Sequence, residues 1–384
     1  MQMADTIRTN ERTNERTGRN YGIDALRILA AFMVLVLHIL GQGGVLRSLP
    51  TLSVNHCVAW ALEIASFCAV DCFALISGYV GYGKKQKYSN IFYLTLQMLF
   101  YSLLTLIAFG CMMPEIVGIK DIIKSSFPFV YRISWYFRAY FGMFFFIPFL
   151  NFLLSKMDKR QSLHLTAAVF IIFSVLPTLF HTDAYNTEYG YSLIWLSLLY
   201  LLGGIFRKYH LQKYITVQNA FLGYLVSIAL TFLSMIILEA GTSLVLGKIK
   251  GGGFFIQYTS PTILFSAVFL FAFFSQLNIN NHWQRVISFF APLAFGVIIS
   301  HGTPLIWQYV IPDLFIAYAQ WNPFAMTLAV LGTAFVIWFV CSMIDKLRLA
   351  IFNALKIKEK CVKLETYLRT KIEPVMDKLA VQES

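Results

Sequence analysis

Charge is what this 384-residue chain has least of: Asp, Glu, Lys and Arg together make up 13% of it, about half the share of an average soluble domain. A chain of this length would otherwise form two or three soluble domains, and the shortage of charged surface excludes them. The runs Ile91–Met113, Phe254–Gln284, Val286–Pro312 and Leu314–Ile344 contain no Asp, Glu, Lys or Arg at all. About 20 apolar residues suffice for a helix to cross the hydrocarbon of a bilayer. Cysteine is also sparse, six residues without a CxxC pattern, and no HExxH occurs, so the common metal and redox motifs are missing. Cys68 and Cys72 share a helix face and fit apolar packing; Cys57 and Cys111 fall near helix ends where they could meet.

What is present is hydrophobic sequence, 58% of the chain, with 16% aromatic residues. It predicts an all-α protein, a polytopic bundle of about ten transmembrane helices. The expected spans are Gly22–Gly41, Cys57–Val80, Asn90–Met113, Trp135–Ser155, Ser162–Phe180, Tyr189–Phe206, Val217–Glu239, Pro261–Leu277, Ser288–Ile311 and Phe324–Ile344. Short connections make residues 21–345 one membrane domain. Residues 1–20 form a basic tail containing the polar repeat RTNE-RTNE, expected to be disordered. Residues 346–384 form a second basic tail, with Leu347, Ile351, Leu355, Leu364, Leu368 and Ile372 at helical spacing. That pattern predicts an amphipathic helix on the membrane surface up to about Pro374. No small-residue cleavage site follows the first span, and no internal repeat supports an inverted-repeat transporter.

Lys and Arg accumulate on the cytosolic side of membrane proteins. Alternate connecting segments, both termini included, hold 23 of them against 6 on the other side. Both ends are therefore expected in the cytosol of a multi-pass plasma-membrane protein. The net charge of +12 follows from this topology and from anionic lipid head groups, and calls for no nucleic acid.

Ionisable residues inside spans cost about 2.5–3.5 kcal/mol each on insertion scales and mark function. They are few: Asp24, Arg27, His38, Glu63, Asp71, Arg138, Glu239 and His301. Arg27 and His38 are eleven residues apart, within roughly 20° of one helix face and about 16 Å apart along the axis. Asp24 stands one turn before Arg27, in ion-pair register. Taken singly, Arg27 is also explained by snorkelling and His38 by a structural hydrogen bond. Together they put a cation near the cytosolic entrance and a titratable imidazole near the outer leaflet. Asp71 is a candidate to orient a histidine and Arg138 to pair with Glu63 or Asp71; for these and His301 a structural interhelical bond is the competing reading.

The segment Gly22–His38, GIDALRILAAFMVLVLH, resembles the opening signature of the acyltransferase 3 family of integral membrane acyltransferases, an Arg and a His separated by ten residues. Phe73–Val80, Ser134–Leu150, Tyr200–Gly204 and Ser288–His301 are similar to further family segments in the same order. Where many members carry Arg-x-x-Arg after the second span, this chain has Lys84 and Lys87, point charges without the guanidinium fork. The resemblance implies an O-acetyltransferase-like enzyme with no bound cofactor or metal. It would move an acyl group, usually acetyl from acetyl-CoA, onto a hydroxyl of a cell-surface or lipid-linked glycan. His38 would then serve as general base. Arg27, with Lys84 and Lys85, would hold the donor, and Asp24, Asp71, Arg138 and His301 would support the site. Two other readings stay open: a transporter or flippase for a lipid-linked sugar, and a non-catalytic membrane component.

Overall fold

The computed structural model describes residues 19–127, 130, 135–249 and 251–381; the RTNE repeat, Arg132 and Lys250 lie outside them. Every regular element among the described residues is helical. The helices that matter here are α1 (Tyr21–Leu40), α2 (Val54–Phe67), α3 (Ala69–Gly81), α4 (Tyr88–Met112), α5 (Trp135–Lys156) and α6 (Lys159–Phe170). They are followed by α7 (Leu193–Lys208), α8 (Val217–Leu246), α9 (Pro261–Ser275), α10 (Asn281–Phe290), α11 (Ala294–His301), α12 (Pro323–Ala354) and α13 (Ile357–Val381). Each of the ten expected spans coincides with helix. Eight are long and apolar enough to cross a membrane; α7 and α9, at 16 and 15 residues, are shorter.

Burial sorts these helices into centre and rim. In the most apolar window of α1 67% of residues are buried, and in that of α2–α3 72%, against 17% for α8. The outward Leu222, Leu225, Leu230, Leu233 and Ile237 of α8 are exposed, as expected of a face turned to lipid. α1 therefore runs through the middle of the bundle. Asn20 starts it, accepting from the Ile23 amide and donating to the Ser275 carbonyl, which ties its first turn to the end of α9. α3 and α7 pack backbone to backbone. A Cβ on Gly78 would collide with the Tyr200 carbonyl, and one on Gly203 with the Leu75 carbonyl, so only glycine permits this approach.

Two spans are broken. The second divides at Cys68, between α2 and α3. The ninth divides at Ala291–Leu293 and stops at His301, not at the expected Ile311. Gly302 and Thr303 interrupt it and Pro304 opens a separate short helix, as a residue without an N–H does. The last span errs the other way, with α12 continuing to Ala354. Asp345 and Arg348 had marked its exit, but they neutralise each other through two hydrogen bonds of 2.9 and 2.8 Å and stay buried. α13 continues through Pro374 to Val381. It is not merely a surface helix: Glu365 accepts hydrogen bonds from the Tyr88 and Ser89 amides and so caps α4.

Candidate active site

His38 occupies the last turn of α1, just before the Gly41–Gly44 turn that closes the helix. Its Nδ1 lies 2.8 Å from Nε2 of His301 at the end of α11, 263 residues away in sequence. His301 in turn places Nδ1 2.5 Å from the Val297 carbonyl. That carbonyl can only accept, so His301 Nδ1 carries a proton. With both rings neutral, His301 Nε2 is then a lone pair and accepts from His38 Nδ1–H. His38 Nε2 is left unprotonated, the tautomer a general base requires. The Trp307 ring meets His38 edge-on with centroids 4.6 Å apart and fixes its plane. His301 thus holds His38, a task for which Asp71 was one candidate beside its reading as a structural interhelical bond.

His38 lines a chamber of about 320 Å³ whose walls include Glu63, Trp135, Tyr136, Tyr191, Tyr258 and Trp307. Below it lies a narrower cavity of about 170 Å³ between Arg27, Ser77, Tyr136 and Tyr140. Phe73, Tyr136 and Ile298 line both. A third cavity, about 350 Å³, is lined by Arg19, Asp24, Arg27, Tyr79, Lys84 and Arg207, and Arg27 belongs to it and to the narrow cavity alike. The three follow one another along α1, from a strongly basic mouth through a waist at Arg27 to the imidazole. Four cations against one carboxylate make the mouth a site for anions. Asp24 holds Arg27 at 2.8 Å and Arg19 at 2.6 Å, the first of these in the register expected. Arg207 donates to the Tyr79 hydroxyl at 2.9 Å.

The other expected residues are distributed differently. Lys84 lines the mouth, whereas Lys85 is exposed and does not. Asp71 accepts from the indole of Trp195 at 2.9 Å and joins α3 to α7. Arg138 stands 3.8 Å from Glu188, not beside Glu63 or Asp71; a partly exposed cation is cheaper near solvent than opposite a buried carboxylate. Glu239 is held by His56 at 3.0 Å. Arg19, Arg207 and Trp307 were not foreseen as site residues. Arg207 carried a signal, since it follows YLLGG at the end of a span and so projects at the same membrane face as Lys84.

Among the described residues no group of three or more His, Cys, Asp or Glu could hold a metal ion. All six cysteines are free, Cys57 and Cys111 included. The model of an acyltransferase domain matches residues 20–343. The chain belongs to the acyltransferase 3 family. No curated protein and no solved structure matches it. Membership makes it a membrane acyltransferase and sets aside the transporter reading. Arg27 and His38 line successive cavities along α1, Arg27 the basic and the middle one and His38 the chamber.

Proposed function

We propose that the protein transfers an acyl group, most often acetyl, from acyl-CoA to a hydroxyl of a cell-surface or lipid-linked glycan, with His38 as the base. The observation that carries this reading is the row of three cavities along α1, basic at one end and reaching an unprotonated imidazole nitrogen at the other. The phosphates of CoA suit the mouth formed by Arg19, Lys84 and Arg207, with Arg27 at the waist. The extended thioester arm suits the narrow middle. Arg27 lies about 16 Å below His38 along the helix, which fits a donor-holding role and leaves it too far away to stabilise charge at the reacting carbonyl.

In the chamber an acceptor hydroxyl gives its proton to His38 Nε2 as its oxygen attacks the thioester carbonyl. The carbon–sulfur bond breaks as the tetrahedral adduct collapses, and the thiolate takes the proton back from His38. The products are an O-acyl ester and free CoA. While His38 is protonated, His301 Nε2 accepts from it and steadies the imidazolium, the role a carboxylate plays in other triads.

The basic mouth belongs in the cytosol of the cell that bears the protein, where acyl-CoA is made, and the chamber toward the outside. Reporter fusions at Gly83 and at the C-terminus should register as cytosolic and a fusion at Asn186 as external. Mass spectrometry of surface glycans from cells with and without the gene tests the reaction. An acyl ester that appears only with the gene is the expected result, and identical glycans would overturn the reading.

A further inference from the structure

The described lining of the chamber contains one carboxyl group, and the reaction as drawn does not use it. Glu63, on α2, lines the same wall space as His38 and is only 7% exposed. Its Oε2 has no hydrogen-bond partner among the described residues. Other buried carboxylates of the bundle have at least one partner: Asp345 binds Arg348, Gln97 and Tyr101, Glu239 binds His56, and Asp71 takes the Trp195 indole on Oδ1 while its Oδ2 is unpartnered. None of these three lines the chamber, as Glu63 does. A carboxyl kept buried and open-handed lowers stability, and positions of that kind are retained where a ligand completes them. Around Glu63 the surfaces are aromatic. The rings of Trp135 and Tyr191 are 4.5 Å apart, Tyr191 and Tyr258 4.9 Å, and Phe67 and Tyr258 4.7 Å. Among the described residues that line the chamber there is no Lys or Arg.

We infer that Glu63 is the acceptor-binding residue, accepting hydrogen bonds from two neighbouring hydroxyls of a pyranose that lies against the Trp135–Tyr258 aromatic wall. This inference rests on the acyl-transfer reading above and deepens it. A carboxylate has two acceptor oxygens and matches a vicinal diol, while ring faces cover the apolar C–H side of a sugar. One further hydroxyl of the same ring is then presented to His38 Nε2. The lining also selects. A uronate, a sialate or a phosphorylated sugar would bury its charge and find no cation among the described residues lining the chamber. The acylated unit is therefore an uncharged hexose or a hexosamine.

The test compares wild type, Glu63→Met and Glu63→Asp as full-length protein. Tandem mass spectrometry of surface glycans reports which residue and position is acylated; binding of CoA itself and thermal unfolding are measured in nanodiscs. Wild type should acylate a neutral or amino sugar. Glu63→Met should lower that acylation by roughly ten- to a hundredfold, the loss of two hydrogen bonds to the sugar. Its CoA affinity should be unchanged and its unfolding temperature equal or higher, because the unpartnered carboxyl is gone. Glu63→Asp should retain partial activity with the ester shifted to a neighbouring hydroxyl. An ester on a uronate or sialate overturns the inference. So does full activity in Glu63→Met, or a fall in its unfolding temperature parallel to its loss of activity, as a purely structural carboxyl would give. If wild type acylates no glycan, the acyl-transfer reading itself falls and Glu63 falls with it; normal wild-type acylation with an indifferent Glu63 removes Glu63 alone.

Discussion

Two of the sets of ionisable side chains that the bundle buries are finished to different standards. At the end of α12, Asp345 and Arg348 form a doubly bonded pair at 0 and 2% side-chain exposure. Gln97, Tyr101 and Tyr93 complete it, donating to Asp345 or accepting from Arg348 at 2.7–3.0 Å. In the chamber, His38 has one nitrogen bonded and one free, and Glu63 has an oxygen with no partner. Both sets are as costly to bury, but only the first is compensated from within. A closed network holds helices together; an open one waits for something that the chain does not contain.

The comparison is most sharply tested at His38. His38→Gln keeps bulk and hydrogen bonding but cannot take a proton, so acylation should fall by about 10²–10⁴, the worth of general-base catalysis, with normal protein levels and an unchanged unfolding temperature. His38→Ala should behave alike, and His301→Ala should show a smaller loss. Glycan mass spectrometry beside quantitative immunoblotting decides it: near-normal acylation in His38→Gln would make His38 structural and erase the contrast.

The closed network should respond in the opposite currency. Arg348→Met strands a buried carboxylate and should cost about 3–5 kcal/mol of stability, seen as a lower unfolding temperature and less protein in the membrane. Asp345→Leu combined with Arg348→Met should recover much of that loss, since an apolar pair needs no partner. If the double variant unfolds as readily as the single one, the network is more than a self-contained structural pair.

A smaller effect is expected at the mouth. Arg27→Lys retains the charge but loses the fork that Asp24 now grips, and should raise KM for acyl-CoA about tenfold with little change in kcat. Lys84→Ala should raise it less, and that difference should fade in high salt as exposed charges are screened. Initial rates at varied acyl-CoA and ionic strength measure both; a kcat effect without a KM effect would move Arg27 out of the donor site.

The smallest effect concerns the tail. Burial on its own would raise the Glu365 carboxyl, but hydrogen bonds from Ser89, Arg369 and Tyr88 hold it down at about 2. A carboxylate depressed in the folded state contributes above its ordinary value near 4.5 and loses that contribution as the pH falls toward 2. Glu365→Gln should mimic the acid state at neutral pH, costing on the order of 1 kcal/mol, as loss of a helix cap does. Hydrogen exchange in the first turn of α4 should quicken in the variant, and in wild type only below about pH 4.5. Unaltered exchange would reduce the contact to an incidental one.

The sequence disclosed the spans far better than their interruptions. Length and hydropathy are local quantities, and they locate all ten helices. The break at Cys68 and the stop at His301 arise from packing and from Gly302-Thr303-Pro304, which a hydropathy run passes over. Asp345 and Arg348 misled for the converse reason, since a charge pair three residues apart looks like a membrane exit until Gln97 and Tyr101 are brought against it. At the site, periodicity placed Arg27 and His38 on one face of α1, and the row of cavities follows that face. It had no means of joining His38 to His301 or Arg19 to Arg207, because those meetings are made by the bundle and not by any one helix. Glu63 and Asp71, alike as buried carboxyls of one span, separate only when Trp195 is seen beside the second.

The cap that Glu365 places on α4 also imposes an order of assembly. Ser89 and its partner are 276 residues apart, so at about 5–20 residues per second the ribosome reaches Glu365 roughly 14 to 55 s after it has passed Ser89. Throughout that interval the first turn of α4 lacks the Glu365 cap, and Lys84 stands four residues before it in the loop that lines the basic mouth. The first turn of α4 therefore receives its cap only when the last helix folds back, and a chain truncated before α13 never receives it.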